Sequence, residues 1–466
     1  MKKLWIVLLS VALIMAFAMP VCAADVKMSG NYIIQGYYEN NRALVKDGQA
    51  SVGNIWQRLR LQTDIQVQEG LKLTARADIM EKIWGAARAP ITSSGSTISV
   101  PALGYDSNGN NWEAENIKFE HVYVSANLFG GLLRAGYQQQ SVFGTAFADS
   151  GDSTYGPRVR YDYQIGPWTL IALWDKIEGT QYYSAKGPAG NIGNPAYQVD
   201  ATAEKYVGAF MYNWGKGNAG LLFYYYLLSN TSGPSSAAVT DTGYKGQFWV
   251  FDPYFKAQIG PLYLEGELTY WVGKSRKAEG NNPANRDIDR DGWGAYLTGT
   301  YDFAPMYAGA LFAYVSGDDK GTTDKDEQGP PGGTDFNPCL MLFNFDLARW
   351  NGAYGTNGAA YGYSANTQMS NVMLLQFFVG MKPVPKLDIK ASYSWAQADK
   401  DGAATGWQDR DLGSELDLTA TYKIYDNLSY MVGFGYLWAG DYFKGTNPTG
   451  QVDNDYLITH KLTLTF

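Results

Sequence analysis

The chain has 466 residues and a formal net charge of −8, and this acidity argues against nucleic acid as a partner. Aromatic residues make up 15% and charged residues only 18%, with 53 glycines along the length, which departs from an average soluble domain. No linker, low-complexity tract or composition shift divides the chain into the separate domains that a soluble protein of this length would hold.

The first element is an export signal. Met1-Lys2-Lys3 gives a basic start, and the run from Leu4 to Ala18 is apolar except for Ser10. Pro20 ends it, and Val21-Cys22-Ala23 sets small residues at a cleavage site. Residues 1–23 therefore read as a secretory signal peptide, cleaved after Ala23 or Ala24, with 24–466 as one mature domain. Cleavage leaves Cys339 alone, so no intrachain disulfide is available. No later apolar run reaches the ~20 residues that a membrane-spanning helix needs.

From there, tight turns alternate with long polar segments. The turns, at 68–70, 129–131, 165–167, 215–218, 259–261, 303–305, 383–385 and 425–427, carry the Gly, Pro or Asp-Asn chemistry of a chain reversal. The long segments lie near 39–54, 84–115, 140–157, 179–204, 230–246, 273–290, 318–370, 398–412 and 440–454. Eight turns and nine loops join 18 strands, or 16 if one hairpin is misread. Between turns the residues alternate. Leu59, Leu61, Thr63, Ile65 and Val67 oppose Arg60, Gln62, Asp64 and Gln66, and the stretches 71–79, 262–270 and 416–424 repeat the pattern. A period of two is that of a strand with unlike faces, in a soluble sandwich or a membrane barrel alike.

The last strand decides between these. Leu462, Leu464 and Phe466 share one face, and Lys461, Thr463 and Thr465 the other. A strand ending on an exposed aromatic suits a closed barrel with no open edge. With the export signal, this strand resembles the bacterial outer-membrane porins, in which a C-terminal Phe is the assembly signal. The resemblance implies an all-β, transmembrane antiparallel barrel with short periplasmic turns and long extracellular loops. It also implies an outer-membrane location among lipid and lipopolysaccharide, a homotrimer, and recognition of Phe466 by the barrel-assembly machinery. The third long loop would fold into the lumen, bringing Asp149 and Asp152 to face a basic wall; a surface loop is the other reading.

A barrel this wide cannot be filled by its own side chains, so its lumen holds water or an inserted loop. Alternation points Arg58, Arg60, Lys72, Arg76, Arg134, Arg158 and Arg160 inward on early strands. It points Glu265, Glu267, Asp302, Asp388, Glu415 and Asp417 inward on later ones. Facing rows of opposite sign would orient polar solutes and reject apolar ones. Pairing between neighbouring strands is the alternative. The segment 318–370 begins acidic, passes Gly-Pro-Pro-Gly-Gly and turns apolar at Cys339 to Phe343. That apolar centre has to be covered, by folding inward as a lid or plug or by a neighbouring subunit.

Asp287, Asp289, Asp291 and Gly292 have the spacing that opens a calcium loop. The twelfth position is Thr298, so no bidentate Glu closes the site, and a solvated acidic loop competes with loop-bound Ca²⁺. No cofactor is required. The two histidines, His121 and His460, lie on distant strands, and no nucleophile, zinc or phosphate-loop motif accompanies them, so no enzyme is expected. The reading that follows is a porin passing small hydrophilic solutes and ions. The alternatives are a selective channel for sugars, carboxylates or oligosaccharides, and a non-transporting surface barrel, adhesin or structural.

Overall fold

Turn chemistry and two-residue alternation together produce eighteen long antiparallel strands. The computed structural model describes residues 25–46, 51–85, 92–93, 96–97, 117–151, 154–179, 199–232, 244–278, 286–352, 365–401, 406–407 and 409–466. The signal segment and Asp152 lie outside the described residues. The first six strands are β1 (Asp25–Glu39), β2 (Val52–Gln68), β3 (Leu71–Ile83), β4 (Ile117–Leu128), β5 (Gly131–Gln139) and β6 (Tyr155–Ile165). The next six are β7 (Trp168–Gly179), β8 (Val199–Asn213), β9 (Gly217–Ser232), β10 (Tyr244–Ile259), β11 (Leu262–Ala278) and β12 (Ile288–Phe303). The last six are β13 (Met306–Val315), β14 (Val372–Val384), β15 (Leu387–Ala398), β16 (Asp411–Tyr425), β17 (Leu428–Ala439) and β18 (Asp455–Thr465).

Each strand pairs with its chain neighbour, and β18 returns to β1 with Leu457 opposite Glu39 and Thr465 opposite Asn31. Phe466 completes that seam. Its carbonyl accepts from the Gly30 N–H at 2.8 Å and its own N–H donates to the Gly30 carbonyl at 3.0 Å. All eight tight turns fall where the sequence sets them. Gly166 and Gly260 adopt positive φ (54° and 59°), the conformation that only glycine takes without strain.

The two faces of the wall differ in kind. Phe119, Val124, Leu170, Trp249, Phe377 and Val432 stand exposed on the outside. Near the tight turns, rings gather in a girdle, with Trp168 and Tyr212 at 4.7 Å between centroids. A continuous apolar band with aromatic borders is a lipid-facing surface. No helix among the described residues is long and apolar enough to cross a membrane; the strands do so.

Two bulges break the alternation. At Met80 (φ 54°) β3 gains a residue against β2, which turns Glu81 into the lumen. At Glu120 a bulge on β4 leaves Glu120 and His121 both buried.

Long loops are numbered in chain order. Loop 7 (316–371) folds inward rather than outward. Its helix α1 (Phe345–Asn351) begins at Asn344, whose side chain accepts from the Leu347 N–H at 2.9 Å. Met341, Leu342, Leu347 and Trp350 pack against Leu44, Trp56, Leu374, Leu437 and Leu457 from loop 1 and the wall. Trp350 stacks on Trp56 at 4.2 Å and 10°. One side of the barrel thus has a hydrophobic core inside it.

Candidate permeation site

Loop 3 (140–154) also lies within the barrel, and one side chain grips the backbone of its middle. Oε2 of Glu267, on β11, accepts from the Thr145 N–H (2.5 Å), the Thr145 hydroxyl (2.7 Å) and the Ala146 N–H (2.5 Å). Oε1 accepts from the N–H groups of Phe147 (3.2 Å) and Ala148 (2.9 Å). Successive backbone N–H groups aimed at one anion form a nest, which satisfies a carboxylate that is only 2% exposed. Gly144 (φ 79°) is needed there, because a Cβ would meet the Glu267 carboxylate at 2.8 Å. Phe143 then packs edge-on against Tyr254. Within the loop, Asp149 accepts from the Gly151 N–H at 2.9 Å.

Loop 7 is gripped in the same manner. Glu415 accepts from the N–H groups of Met341 and Leu342, both at 2.7 Å, and Asp417 from that of Leu340 at 3.3 Å. Arg349 on α1 reaches Glu81 at 2.9 Å. The two loops are joined to each other. The Gly333 N–H donates to the Ala146 carbonyl at 2.6 Å, and the Thr334 hydroxyl to the Ser150 carbonyl at 2.9 Å.

The acidic row expected on the later strands is therefore not a bare wall. Glu267, Glu415 and Asp417 are covered by loop backbone. Glu265 accepts from the hydroxyls of Tyr263 (2.6 Å) and Tyr296 (2.7 Å). Asp388 accepts from Tyr307 at 2.9 Å, and Asp302 is exposed beside a tight turn.

Most of the basic residues are paired across strands. Arg60 forms a bidentate pair with Asp78 at 2.7 Å for both contacts. Arg58 lies between Asp78 (3.8 Å) and Glu81 (3.7 Å), and Lys72 meets Asp64 at 3.2 Å. Arg76 donates to the Tyr155 hydroxyl. Arg134 and Arg160 share one carboxylate, Asp162. Arg158 holds Asp175 through two contacts (2.6 and 2.8 Å) and donates to the carbonyls of Gln139 and Gln140 at the base of loop 3. Neighbour pairing, not two facing rows, organises these charges.

Among the described residues, loops 3 and 7 cover a cavity of about 340 Å³ against β6–β11. Its roof is Phe143 and Phe147 of loop 3 with Pro330 and Pro331 of loop 7. Arg158, Arg160 and Lys205 lie on one wall. Next to Lys205 along the wall runs a row of rings, Tyr226 to Phe248 at 4.8 Å and Phe248 to Trp271 at 5.4 Å, ending in the Arg290 guanidinium 4.6 Å from Trp271. Near the basic wall four cations (Arg134, Arg158, Arg160, Lys205) stand against three carboxylates (Asp162, Asp175, Asp252), an excess of one positive charge. Apolar walls around such an excess focus its field on whatever passes.

Sequence reading missed Lys205, Asp175 and Glu81. On β8 the lumen face carries Lys205, Val207 and Ala209 and the outer face Tyr206, Gly208 and Phe210, so both read as apolar. Glu81 is hidden by the bulge. The Asp287–Asp291 run is also corrected: it leads into and occupies β12 as extended chain instead of turning around an ion. Asp289 pairs with Lys274 at 2.5 Å, Asp287 lies 3.7 Å from the same amine, and Asp291 accepts from the Tyr270 hydroxyl at 2.9 Å. Among the described residues no group of three carboxylates, histidines or cysteines converges to hold a metal. His121 is buried beside Tyr123 in the lumen, and His460 faces outward beside Tyr430.

Residues 196–454, more than half of the chain, match the family model described as alginate export. The chain belongs to the alginate export family. No curated relative matches the sequence. Solved structures share the fold. OccK1 (OpdK) of Pseudomonas aeruginosa has a TM-score of 0.51 at 11% identity, covering 94% of this chain and 98% of that one. OccK8 (OprE) of the same organism gives 0.51 at 14%, covering 95% and 98%. OccK2 (OpdF), solved in complex with glucuronate, gives 0.51 at 12%, covering 96% and 99%. This member of the family is an outer-membrane β-barrel channel of the porin kind.

Proposed function

We propose that the protein is a substrate-selective channel for anionic, carboxylate-bearing hydrophilic solutes. The observation that carries this is the position of the basic residues. Loops 3 and 7 fold into the lumen, and the cavity between them and the wall is flanked by Arg158, Arg160 and Lys205. A hydrated carboxylate entering it exchanges water for fixed cations, whereas a cation meets like charge. The family's name points to a carboxylated polysaccharide, and glucuronate, bound by a structure of similar fold, is a carboxylated sugar. Both agree with the charge of the site. A homotrimer of such barrels, each inserted by the barrel-assembly machinery through recognition of Phe466, belongs to the same reading.

Planar-bilayer recording tests it. In a potassium chloride gradient the reversal potential should show preference for chloride, and glucuronate should reduce the current at concentrations where glucose does not. Equal effects of the two sugars would return the protein to an unselective porin. A preference for potassium would refute the proposal outright.

A further inference from the structure

Not all cations of the passage are equal. Arg158 has its guanidinium committed to the two Asp175 oxygens and two backbone carbonyls, which ties β6 to β7 and to the start of loop 3. Arg160 donates to Asp162 at 2.8 Å, a carboxylate it shares with Arg134. Lys205 differs from both. Among the described residues its ammonium has no carboxylate or carbonyl in hydrogen-bonding reach. Its contact is with the Tyr224 ring, 5.2 Å from Nζ to the centroid. The carboxylate that acts on it from a distance, Asp175, is the one already taken by Arg158.

An ammonium has three donors and is strongly hydrated. Here it shares the cavity lining with Val207, Ala209 and Leu222, which offer it nothing polar, and with Asp175 and Asp252, neither within hydrogen-bonding distance of it, so hydration water supplies its partners. A solute carboxylate can replace that water without breaking any protein contact. At Arg158 the same approach would have to displace Asp175. We infer that Lys205 is the specificity-determining residue of the passage, the cation that takes up the solute's carboxylate, and that Arg158 is a positioning residue acting through loop 3. The inference rests on the proposed anion selectivity and assigns it to one side chain.

The test uses full-length protein in planar bilayers, with glucuronate as probe and glucose as control. Lys205→Met keeps the length of the side chain and removes the charge; Lys205→Gln is a second, more polar variant. Each is checked for a folded barrel by its heat-dependent mobility in detergent gels. Glucuronate block should weaken by about tenfold or more in both, the scale of truncating one partner of a desolvated charge pair, with any change in open-channel conductance smaller than the change in block. Lys205→Arg should restore the block. Arg158→Met should do the opposite, changing open-channel conductance because loop 3 loses its base. If wild-type channels prefer anions yet Lys205→Met blocks as before, the assignment to Lys205 is wrong. If wild-type channels show no anion preference, the underlying reading fails instead, and the two failures are told apart by the wild-type reversal potential alone.

Discussion

Replacing Glu267 by Gln should open the pore. In the wild-type protein one carboxylate receives four backbone N–H groups and a hydroxyl from Thr145 to Ala148. Hydrogen bonds to a charged group contribute roughly 1.5–3 kcal/mol each, and they are lost unequally on substitution. An amide keeps one acceptor oxygen but turns its NH₂ toward donors that need an acceptor. Several buried N–H groups then have no partner, and the docking of loop 3 should weaken by about 3–5 kcal/mol, the scale of removing one member of a buried charged network. Phe143, Ala146 and Phe147 still favour the wall, each by about 1.5–3 kcal/mol at most for a large side chain. The loop should therefore exchange between docked and free positions. Single-channel records should show a larger and noisier conductance than wild type, with glucuronate block reduced. A conductance identical to wild type would mean that apolar packing alone positions loop 3.

Trp350→Ala should loosen loop 7, with Cys339 as the reporter. Trp350 is 1% exposed and stacked on Trp56. Its truncation removes a large buried ring and leaves a cavity, a change that costs about 3–5 kcal/mol. Cys339 sits in the same loop, 3% exposed, beside Ser394 and Gln376. Burial pushes its thiol well above the ordinary range, and the Glu415 and Asp417 carboxylates push it the same way. A maleimide reacts with the thiolate, so the folded wild-type protein should resist labelling at neutral pH on two counts, access and protonation. Loosening the loop lifts both. Because each 1.4 kcal/mol is tenfold, labelling through local opening should accelerate by about two orders of magnitude or more in the variant. An unchanged labelling rate would show that loop 7 is held by its polar contacts to Glu415, Asp417 and Glu81 rather than by its apolar core.

The barrel itself is legible because its signals are local. A turn such as Ile165-Gly166-Pro167 needs only its own residues to reverse the chain, and alternation along β2 or β11 is visible within nine positions. That the apolar run from Cys339 to Phe343 has to be covered is also readable, but whether the lumen or a neighbouring subunit covers it is not. The roles of the lumen charges are not readable in that way. Glu267 and Glu415 look like pore-lining acids until their partners are known. Those partners are backbone N–H groups some 120 and 74 residues away, which carry no side-chain signature. Lys205 escaped notice because inserted loops make the lumen face of β8 apolar, erasing the contrast that marks a water-filled pore. The bulges at Met80 and Glu120 shift register without any glycine or proline to announce them. The Asp287–Asp291 run has the composition of an ion-binding turn, but pairing of β12 with β11 keeps it extended.

The apolar lining beneath loop 7 has a consequence for biogenesis. Strands β14 to β18 carry lipid-facing residues on one side and, on the other, Val372, Leu374, Ala396, Ala398, Leu437 and Leu457, all buried under the loop. Before insertion neither lipid nor loop covers them. That part of the polypeptide is greasy on both sides while it travels through an aqueous compartment, the condition in which unpaired strands self-associate. Demand for holdase chaperones should fall most heavily on these five strands, and shortening loop 7 would leave a permanently sticky interior rather than a wider pore.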